Sequence, residues 1–80
     1  MGDIGKNIRF LRIQKKLSQD QLAESLHVTR QTVSNYETGR SRPDVEMLTA
    51  LADALNADVK EILYSPAGRE RRIRLLRQLE

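Results

Sequence analysis

The chain is 80 residues long, carries a formal net charge of +3, and contains no cysteine and one histidine, His27. This length allows one small domain, the lack of cysteine excludes disulfides and thiolate metal sites, and the chain has no glycine-rich phosphate loop, so we expect no enzyme, no metal and no cofactor. No apolar run approaches the roughly 20 residues of a membrane span, and residues 1–10 lack the apolar core of a signal peptide, so we expect a cytoplasmic protein.

Helical periodicity recurs along the sequence and no segment alternates as a strand would, which predicts an all-α fold. The first helix begins near Asp3. Its inner stripe consists of Ile4, Ile8 and Leu11. Ser18 begins the second helix, and Gln21 three residues later completes a capping-box pattern. The inner face of this helix consists of Leu22, Ala23 and Leu26.

Three further helices follow in the sequence. Thr29 is the N-cap candidate of the third, which ends at Gly39, the residue type best suited to a left-handed C-terminal position. The fourth begins at Asp44. Its inner face consists of Met47, Leu48, Leu51, Ala52 and Leu55. Asp58 and Glu61 repeat the capping-box pattern and predict a short fifth helix.

Residues 65–68 read Ser-Pro-Ala-Gly and break the chain, so we assign residues 1–65 to one domain and residues 66–80 to a tail. The tail carries five Arg against two Glu, which predicts a basic amphipathic helix or a linker. Its apolar side consists of Ile73, Leu75, Leu76 and Leu79. Within the domain, residues 29–42 hold three Arg against one Glu, whereas residues 44–61 hold five acidic residues against one Lys. Such a basic end is compatible with nucleic-acid binding but indicates it only weakly.

Too few residues separate the second and third helices for them to lie antiparallel, so they must cross steeply, as in a helix-turn-helix. Residues 17–43, LSQDQLAESLHVTRQTVSNYETGRSRP, resemble the phage repressor/Cro-type helix-turn-helix of the xenobiotic-response-element family. The resemblance extends from Ile4 to Leu63, and its matching positions include Leu11-Arg12, Leu22-Ala23, Val28-Thr29-Arg30, Thr32-Val33-Ser34, Tyr36-Glu37, Gly39 and Pro43. It implies a compact five-helix, lambda-repressor-like domain.

The resemblance also implies that the third helix is a recognition helix with its N-terminal end in the major groove. The implied DNA-binding residues are Gln19, Thr29, Arg30, Gln31, Thr32, Ser34, Asn35, Arg40 and Arg42. Arginine can bridge guanine O6 and N7, and glutamine or asparagine can bridge adenine N6 and N7. We therefore expect Arg30, Gln31 and Asn35 to discriminate bases. We expect Gln19, Arg40 and Arg42 to contact the DNA backbone.

Arg12 and Glu37 match a pair that, in similar proteins, ties the first helix to the end of the third through a partly buried ion pair. Two features depart from the family pattern. His27 occupies a turn position that is glycine in most relatives, so we expect either a strained left-handed backbone there or a shifted turn. Phe10 and Ile13 occupy positions that are usually polar, and we expect both to be exposed and to form a docking surface for the tail helix, either of the same chain or of a partner.

As a whole, the resemblance implies a transcriptional regulator, and specifically a repressor, that binds a near-palindromic double-stranded DNA site as a homodimer. No small-molecule site is evident and no membrane contact is expected. Two alternatives remain open. The chain could be an antitoxin or adaptor whose main partner is a protein, which an adjacent toxin gene would favour. It could also be the DNA-binding fragment of a longer sensor-regulator, which the full reading frame would reveal.

Overall fold

The computed structural model describes residues 3–64, in which five α-helices follow one another without a strand. They are α1 (Ile4–Gln14), α2 (Gln19–Leu26), α3 (Arg30–Thr38), α4 (Val45–Leu55) and α5 (Val59–Leu63). The all-α, five-helix prediction is confirmed. The predicted tail helix and the boundary at residue 65 lie outside the described residues. No helix within residues 3–64 has the length and apolar character needed to cross a membrane.

All five helices begin at a residue whose side chain accepts a backbone N–H of the first turn. These residues are Asp3, Ser18, Thr29, Asp44 and Asp58. Ser18 and Asp58 form the predicted capping boxes, because their own N–H groups donate to Gln21 Oε1 and Glu61 Oε2, each at 2.8 Å. A cap of this kind contributes about 1 kcal/mol, so each helix start is fixed by residues close in sequence.

The same type of backbone turn connects three pairs of consecutive helices. In each case a residue with positive φ is followed by an apolar residue and then by the next N-cap: Lys16-Leu17-Ser18, His27-Val28-Thr29 and Asn56-Ala57-Asp58. The N–H of the apolar residue donates to the carbonyl five residues earlier, as Val28 does to Ala23 at 3.0 Å, which is the Schellman arrangement. Of the two alternatives at His27, the structure has the left-handed backbone, with φ of 58°. The steep crossing of α2 and α3 therefore comes from a turn that recurs elsewhere in the domain.

A single core receives side chains from all five helices. Its buried members are Ile8, Leu11, Leu22, Ala23, Leu26, Val33, Leu51, Ala52, Leu55 and Ile62. The predicted inner faces of α1, α2 and α4 contribute to this core, with Ile4, Met47 and Leu48 partly buried at its edge. Val33 is the one fully buried residue of α3. Apart from Tyr36, which packs against the core, and the Glu37 side chain, which is 3% exposed, the rest of α3 is partly or fully accessible to a ligand.

The prediction that Phe10 is exposed is wrong. Phe10 is half-buried against the core, whereas Ile13 is 54% exposed as expected. One turn earlier on the same helix, buried Asn7 donates from Nδ2 to the carbonyl oxygen of Ile62 at 2.8 Å. This bond holds α5 against the edge of α1 that also carries Phe10. The expected two-residue docking surface is thereby reduced to Ile13.

Candidate nucleic-acid interface

The helix α3 has one face in the core and one face in solvent. Val33 is buried, and Tyr36 packs against the core beside it. The opposite stripe consists of Gln31, Ser34, Asn35 and Thr38, at the i, i+3, i+4 and i+7 spacing of one helix face. This stripe carries amides and hydroxyls and no long apolar side chain. The packing of Val33 and Tyr36 therefore orients a row of hydrogen-bonding groups outward.

Two side-chain pairs organise the candidate residues along α3. Thr29 Oγ1 accepts from the Thr32 backbone N–H at 3.2 Å, and the two threonine hydroxyls lie 2.9 Å apart. Gln31 Nε2 donates to Asn35 Oδ1 at 3.0 Å. An amide pair of this kind still has Gln31 Oε1, one Gln31 N–H and both Asn35 N–H groups for other partners. The Gln31–Asn35 pair is thus ordered but keeps both donors and acceptors.

A third pair connects α3 to α2. Arg30 Nε donates to Gln19 Oε1 at 3.4 Å, and Gln19 Nε2 donates in turn to Glu37 Oε1 at 3.1 Å. Gln19 is half-buried and Arg30 is exposed. Arg30 and Glu37 are seven residues apart and lie on the same edge of α3. Gln19 fills the space between them from the first turn of α2.

A largely buried ion pair between Arg12 and Glu37 connects this edge of α3 to α1. Arg12 Nε lies 2.6 Å from Glu37 Oε2, with side-chain exposures of 12% and 3%. A second bond joins the Arg12 guanidinium to Glu37 Oε1 at 3.2 Å, and a third runs from it to the carbonyl oxygen of Leu17 at 2.8 Å. The predicted ion pair between α1 and the end of α3 is confirmed. Because Leu17 immediately precedes the N-cap of α2, the pair fixes three helices relative to one another.

The remaining candidates lie at the C-terminal end of α3 and beyond it. Arg40 is exposed and follows Gly39, which ends α3 in the predicted left-handed conformation with φ of 82°. Arg42 lines a depression between the first turn of α1 and the connection from α3 to α4, together with Asp3 and Tyr36. Within residues 3–64, no side-chain hydrogen bond joins Ser34 or Arg40 to the other candidates. The structure thus places these residues on one helix and its flanks, but as separate groups.

Sequence reasoning missed two features of this surface. The sequence predicts that Gln19 contacts the DNA backbone, yet its side-chain NH₂ group donates to Glu37. Thr38 lies on the outward stripe, but its hydroxyl donates back to the carbonyls of Ser34 and Asn35. The Thr38 bond follows a known local preference of threonine in helices and could have been anticipated. The Gln19 bond joins residues 18 positions apart and had no local signal.

The arrangement has the chemistry of a groove-reading surface. It combines a guanidinium, an ordered amide pair and short hydroxyls on one helix with two arginines at that helix's far end. Planar amide and guanidinium groups match the donor and acceptor patterns of base edges, and the flanking cations match phosphates.

Known proteins are similar to this chain in sequence and in fold. The sequence profile of the helix-turn-helix family matches residues 8–62. The competence pilus inhibition repressor of Acinetobacter baylyi is 38% identical over 60 residues, which are 75% of this chain and 54% of that protein. The chain spans between 30% and 55% of the length of the curated relatives that it matches.

Solved structures agree with this assignment. The restriction-modification controller protein C.AhdI from Aeromonas hydrophila has a TM-score of 0.72 and 32% identity, over 75% of this chain and 91% of that one. The P22 c2 repressor, crystallised with a synthetic operator, has a TM-score of 0.72 and 27% identity, over 78% of this chain and 94% of that one. With the profile match across most of the five helices, these similarities show that the chain belongs to the Cro/C1-type helix-turn-helix family.

Proposed function

We propose that this protein is a transcriptional regulator that binds double-stranded DNA sequence-specifically, with α3 in the major groove. The outward stripe of α3 and the neighbouring Arg30 support this function most directly, because they place amides and a guanidinium at the N-terminal half of the second helix of a helix-turn-helix. The P22 c2 repressor, which shares this fold, was crystallised with operator DNA.

Base reading falls to the N-terminal half of α3. Arg30 is exposed and can donate two parallel bonds to guanine O6 and N7. The hydrogen-bonded Gln31–Asn35 pair can present a donor and an acceptor together to adenine N6 and N7. Thr29, Thr32 and Ser34 complete the surface with short groups that allow a close approach to the duplex. Their methyl and hydroxyl groups suit thymine methyls and phosphate oxygens.

Residues that flank α3 would contact the DNA backbone. Arg40 and Arg42 lie beyond its C-terminal end, where a bound duplex would present phosphates to the connection before α4. The backbone N–H of Gln19 belongs to the first turn of α2, whose N–H groups have no partner within the helix and favour an anion. These groups would fix the orientation of the domain on DNA without selecting a sequence.

A homodimer on a near-palindromic site follows from the small size of this surface. One recognition helix contacts only a few base pairs, and two-fold pairing of domains doubles the sequence that is read, with half-sites about one helical turn apart.

We infer that DNA binding by this protein represses transcription, because two relatives are named as repressors: that of Acinetobacter baylyi and the immunity repressor of Bacillus phage phi105. Another relative is named as an activator. A reporter gene placed downstream of the selected site would distinguish repression from activation. Such a regulator would act in the cytoplasm, where its DNA lies.

A selection of bound sequences from random duplexes tests this function. We expect enrichment of one motif, repeated with two-fold symmetry, and binding to it at least about 1,000-fold tighter than to unrelated duplex at physiological salt. A matched protein with both Gln31 and Asn35 replaced by Ala should enrich no adenine at the corresponding positions. Failure of the wild-type protein to enrich any motif would overturn sequence-specific binding.

A further inference from the structure

A depression beside the first turn of α1 has two side chains of opposite charge among the residues that line it. It has a volume of about 250 Å³ and lies against the connection from α3 to α4. The charged groups are the carboxylate of Asp3 and the guanidinium of Arg42. We propose that the depression binds a free amino acid with an apolar side chain, whose ammonium group contacts Asp3 and whose carboxylate contacts Arg42.

The inner wall of the depression is part of the packed domain. Of the residues that line it, Gly5 and Pro43 are buried, and Ile4 and Tyr36 are half-buried and pack against the core. Beside Gly39, a Cβ atom would meet nothing within 4 Å, so the space there is open. The depression is thus formed by the fold itself, as most ligand sites are. Because its walls come from segments far apart in the chain, the sequence alone did not reveal it.

The volume limits the ligand to a small molecule. Pockets for drug-sized ligands measure about 300–1,000 Å³, and this depression is smaller. At about 30 Å³ of liquid for each water, it has room for roughly eight water molecules, which suits a molecule the size of leucine or phenylalanine. The Ile4 side chain and the Tyr36 ring line it as well. They offer apolar surface to the side chain of such an amino acid.

The two charges favour a ligand that carries both an ammonium group and a carboxylate. A carboxylate only accepts hydrogen bonds and a guanidinium only donates them. A simple anion would be attracted by Arg42 but repelled by Asp3, and a simple cation would meet the reverse. One oxygen of Asp3 accepts the Lys6 backbone N–H at 3.1 Å and caps α1. The Asp3 carboxylate has further lone pairs, so it can keep this bond and still accept from an ammonium group.

Ligand binding should weaken DNA binding through Arg42. This step rests on the proposed function, in which Arg42 contacts a phosphate, whereas the binding of the amino acid does not. A guanidinium that holds the ligand carboxylate is no longer available to the duplex. Two partners that compete for one group lower each other's affinity by the same factor. The depression would thereby make DNA binding respond to the concentration of an amino acid.

A titration of the free protein with L-phenylalanine, followed by nuclear magnetic resonance, tests the site without DNA. We expect saturable shifts centred on the backbone amides of Gly5, Gly39 and Ser41, which line the depression. Phenylpropionate lacks the ammonium group and L-phenylalaninamide lacks the carboxylate, so each should bind at least about tenfold more weakly. Equal binding of either analogue would overturn recognition of both charges. The site itself would be overturned if L-phenylalanine, L-leucine and L-valine all failed to cause saturable shifts.

Two variants with the same chemical change separate a contact from a general effect of charge. Asp3→Asn removes the carboxylate charge but keeps a side-chain oxygen that can cap α1. We expect it to bind L-phenylalanine at least about tenfold more weakly than the wild type. Asp58→Asn makes the same change at the cap of α5, away from the depression, and should bind as the wild type does. Wild-type affinity in Asp3→Asn would contradict the proposed contact with the ammonium group.

DNA affinity with and without saturating L-phenylalanine tests the effect on the duplex. For the wild type we expect a roughly tenfold loss on the selected site, with the salt slope reduced by roughly one unit per bound domain. Arg42→Gln should not respond to the amino acid, because the group that the two partners share is absent. Unchanged DNA affinity of a saturated wild-type protein would overturn the coupling. A wild-type protein without any base preference would instead contradict the proposed function and leave the titration result standing.

Discussion

Gly5 of α1 lies directly against the last turn of α3, where a Cβ atom built on it would be 2.5 Å from the carbonyl oxygen of Tyr36. The carbonyl oxygen of Glu37 would be 2.6 Å away. Both neighbouring atoms belong to the backbone, so neither can swing aside as a flexible side chain could. The close approach of these two helices brings Arg12, two turns further along α1, within reach of the Glu37 side chain. Gly5 is therefore part of the scaffold that positions α3.

Replacing Gly5 by Ala should destabilise the domain. The better helix propensity of alanine, about 1 kcal/mol, acts against the steric clash, and overpacking of this kind costs about 1–3 kcal/mol. Because both close contacts are with backbone atoms, the cost should lie at the upper end of this range, so we expect a net loss of about 2 kcal/mol in the free energy of unfolding, measured with urea. The exposed Lys6→Ala change in the same helix is the control and should be close to neutral. A Gly5→Ala protein as stable as its parent would show that α1 and α3 separate easily.

The Arg12–Glu37 pair should be costly to break from one side only. Glu37→Gln leaves the Arg12 guanidinium, 12% exposed, without its counter-charge, and removing one partner of a buried pair typically costs about 3–5 kcal/mol. The double change Arg12→Met/Glu37→Met removes both charges and should cost clearly less than the sum of the two single changes. Chemical denaturation of the wild type, Arg12→Met, Glu37→Met and the double variant measures this coupling. Additive losses would mean that the two side chains stabilise the fold separately.

Glycine substitution at the positive-φ residue of each of the three recurring turns should stabilise the domain to a different degree. Lys16, His27 and Asn56 all adopt positive φ, at 59°, 58° and 50°, where glycine is unstrained. Lysine tolerates this conformation least and asparagine best. We expect Lys16→Gly to stabilise the domain most, His27→Gly less and Asn56→Gly least, with no gain above about 1 kcal/mol. Thermal melts of the three variants give the order. A destabilised His27→Gly protein would mean that the imidazole makes a favourable contact.

Arg40 and Arg42 should govern the dependence of binding on salt. Each contact between a cation and a phosphate contributes about 0.9 to the slope of log K against log salt concentration. Arg40→Gln and Arg42→Gln should each reduce this slope by roughly one unit per bound domain. Lys60→Gln is the matched control, because Lys60 is exposed in the acidic half of the domain. Unchanged slopes in both arginine variants would place these residues away from the duplex.

Local chemistry explains why much of the fold could be predicted from sequence. Ser18 and Gln21 form their capping box across three residues, and the N-caps at Thr29 and Asp44 likewise depend on immediate neighbours. What sequence reasoning missed depends on segments far apart in the chain. Asn7 donates to a carbonyl 55 residues later, and Phe10 is half-buried because it packs against a core to which all five helices contribute.

The candidate site likewise combines features that the sequence predicted with contacts between distant segments that it did not predict. The resemblance to the repressor family implied which polar residues of α3 face away from the core, and Gln31, Ser34 and Asn35 do lie on its outward stripe. The engagement of Gln19 with Glu37 could not be predicted, because it requires the crossing geometry of α2 and α3 to be known. The tail at residues 66–80 lies outside the described residues, so its predicted packing against the first helix of the same chain or against a partner chain stays a prediction.

The base preferences of Arg30→Ala test most directly the claim that α3 reads DNA sequence. Affinities for the selected site and for all its single-base-pair variants would be compared between this protein and the wild type. We expect Arg30→Ala to lose about 1–3 kcal/mol on the preferred site and its preference at one base pair in each half-site, while the other positions keep theirs. Arg40→Ala should instead weaken binding to every sequence alike. The same uniform weakening by Arg30→Ala would contradict base reading by this residue.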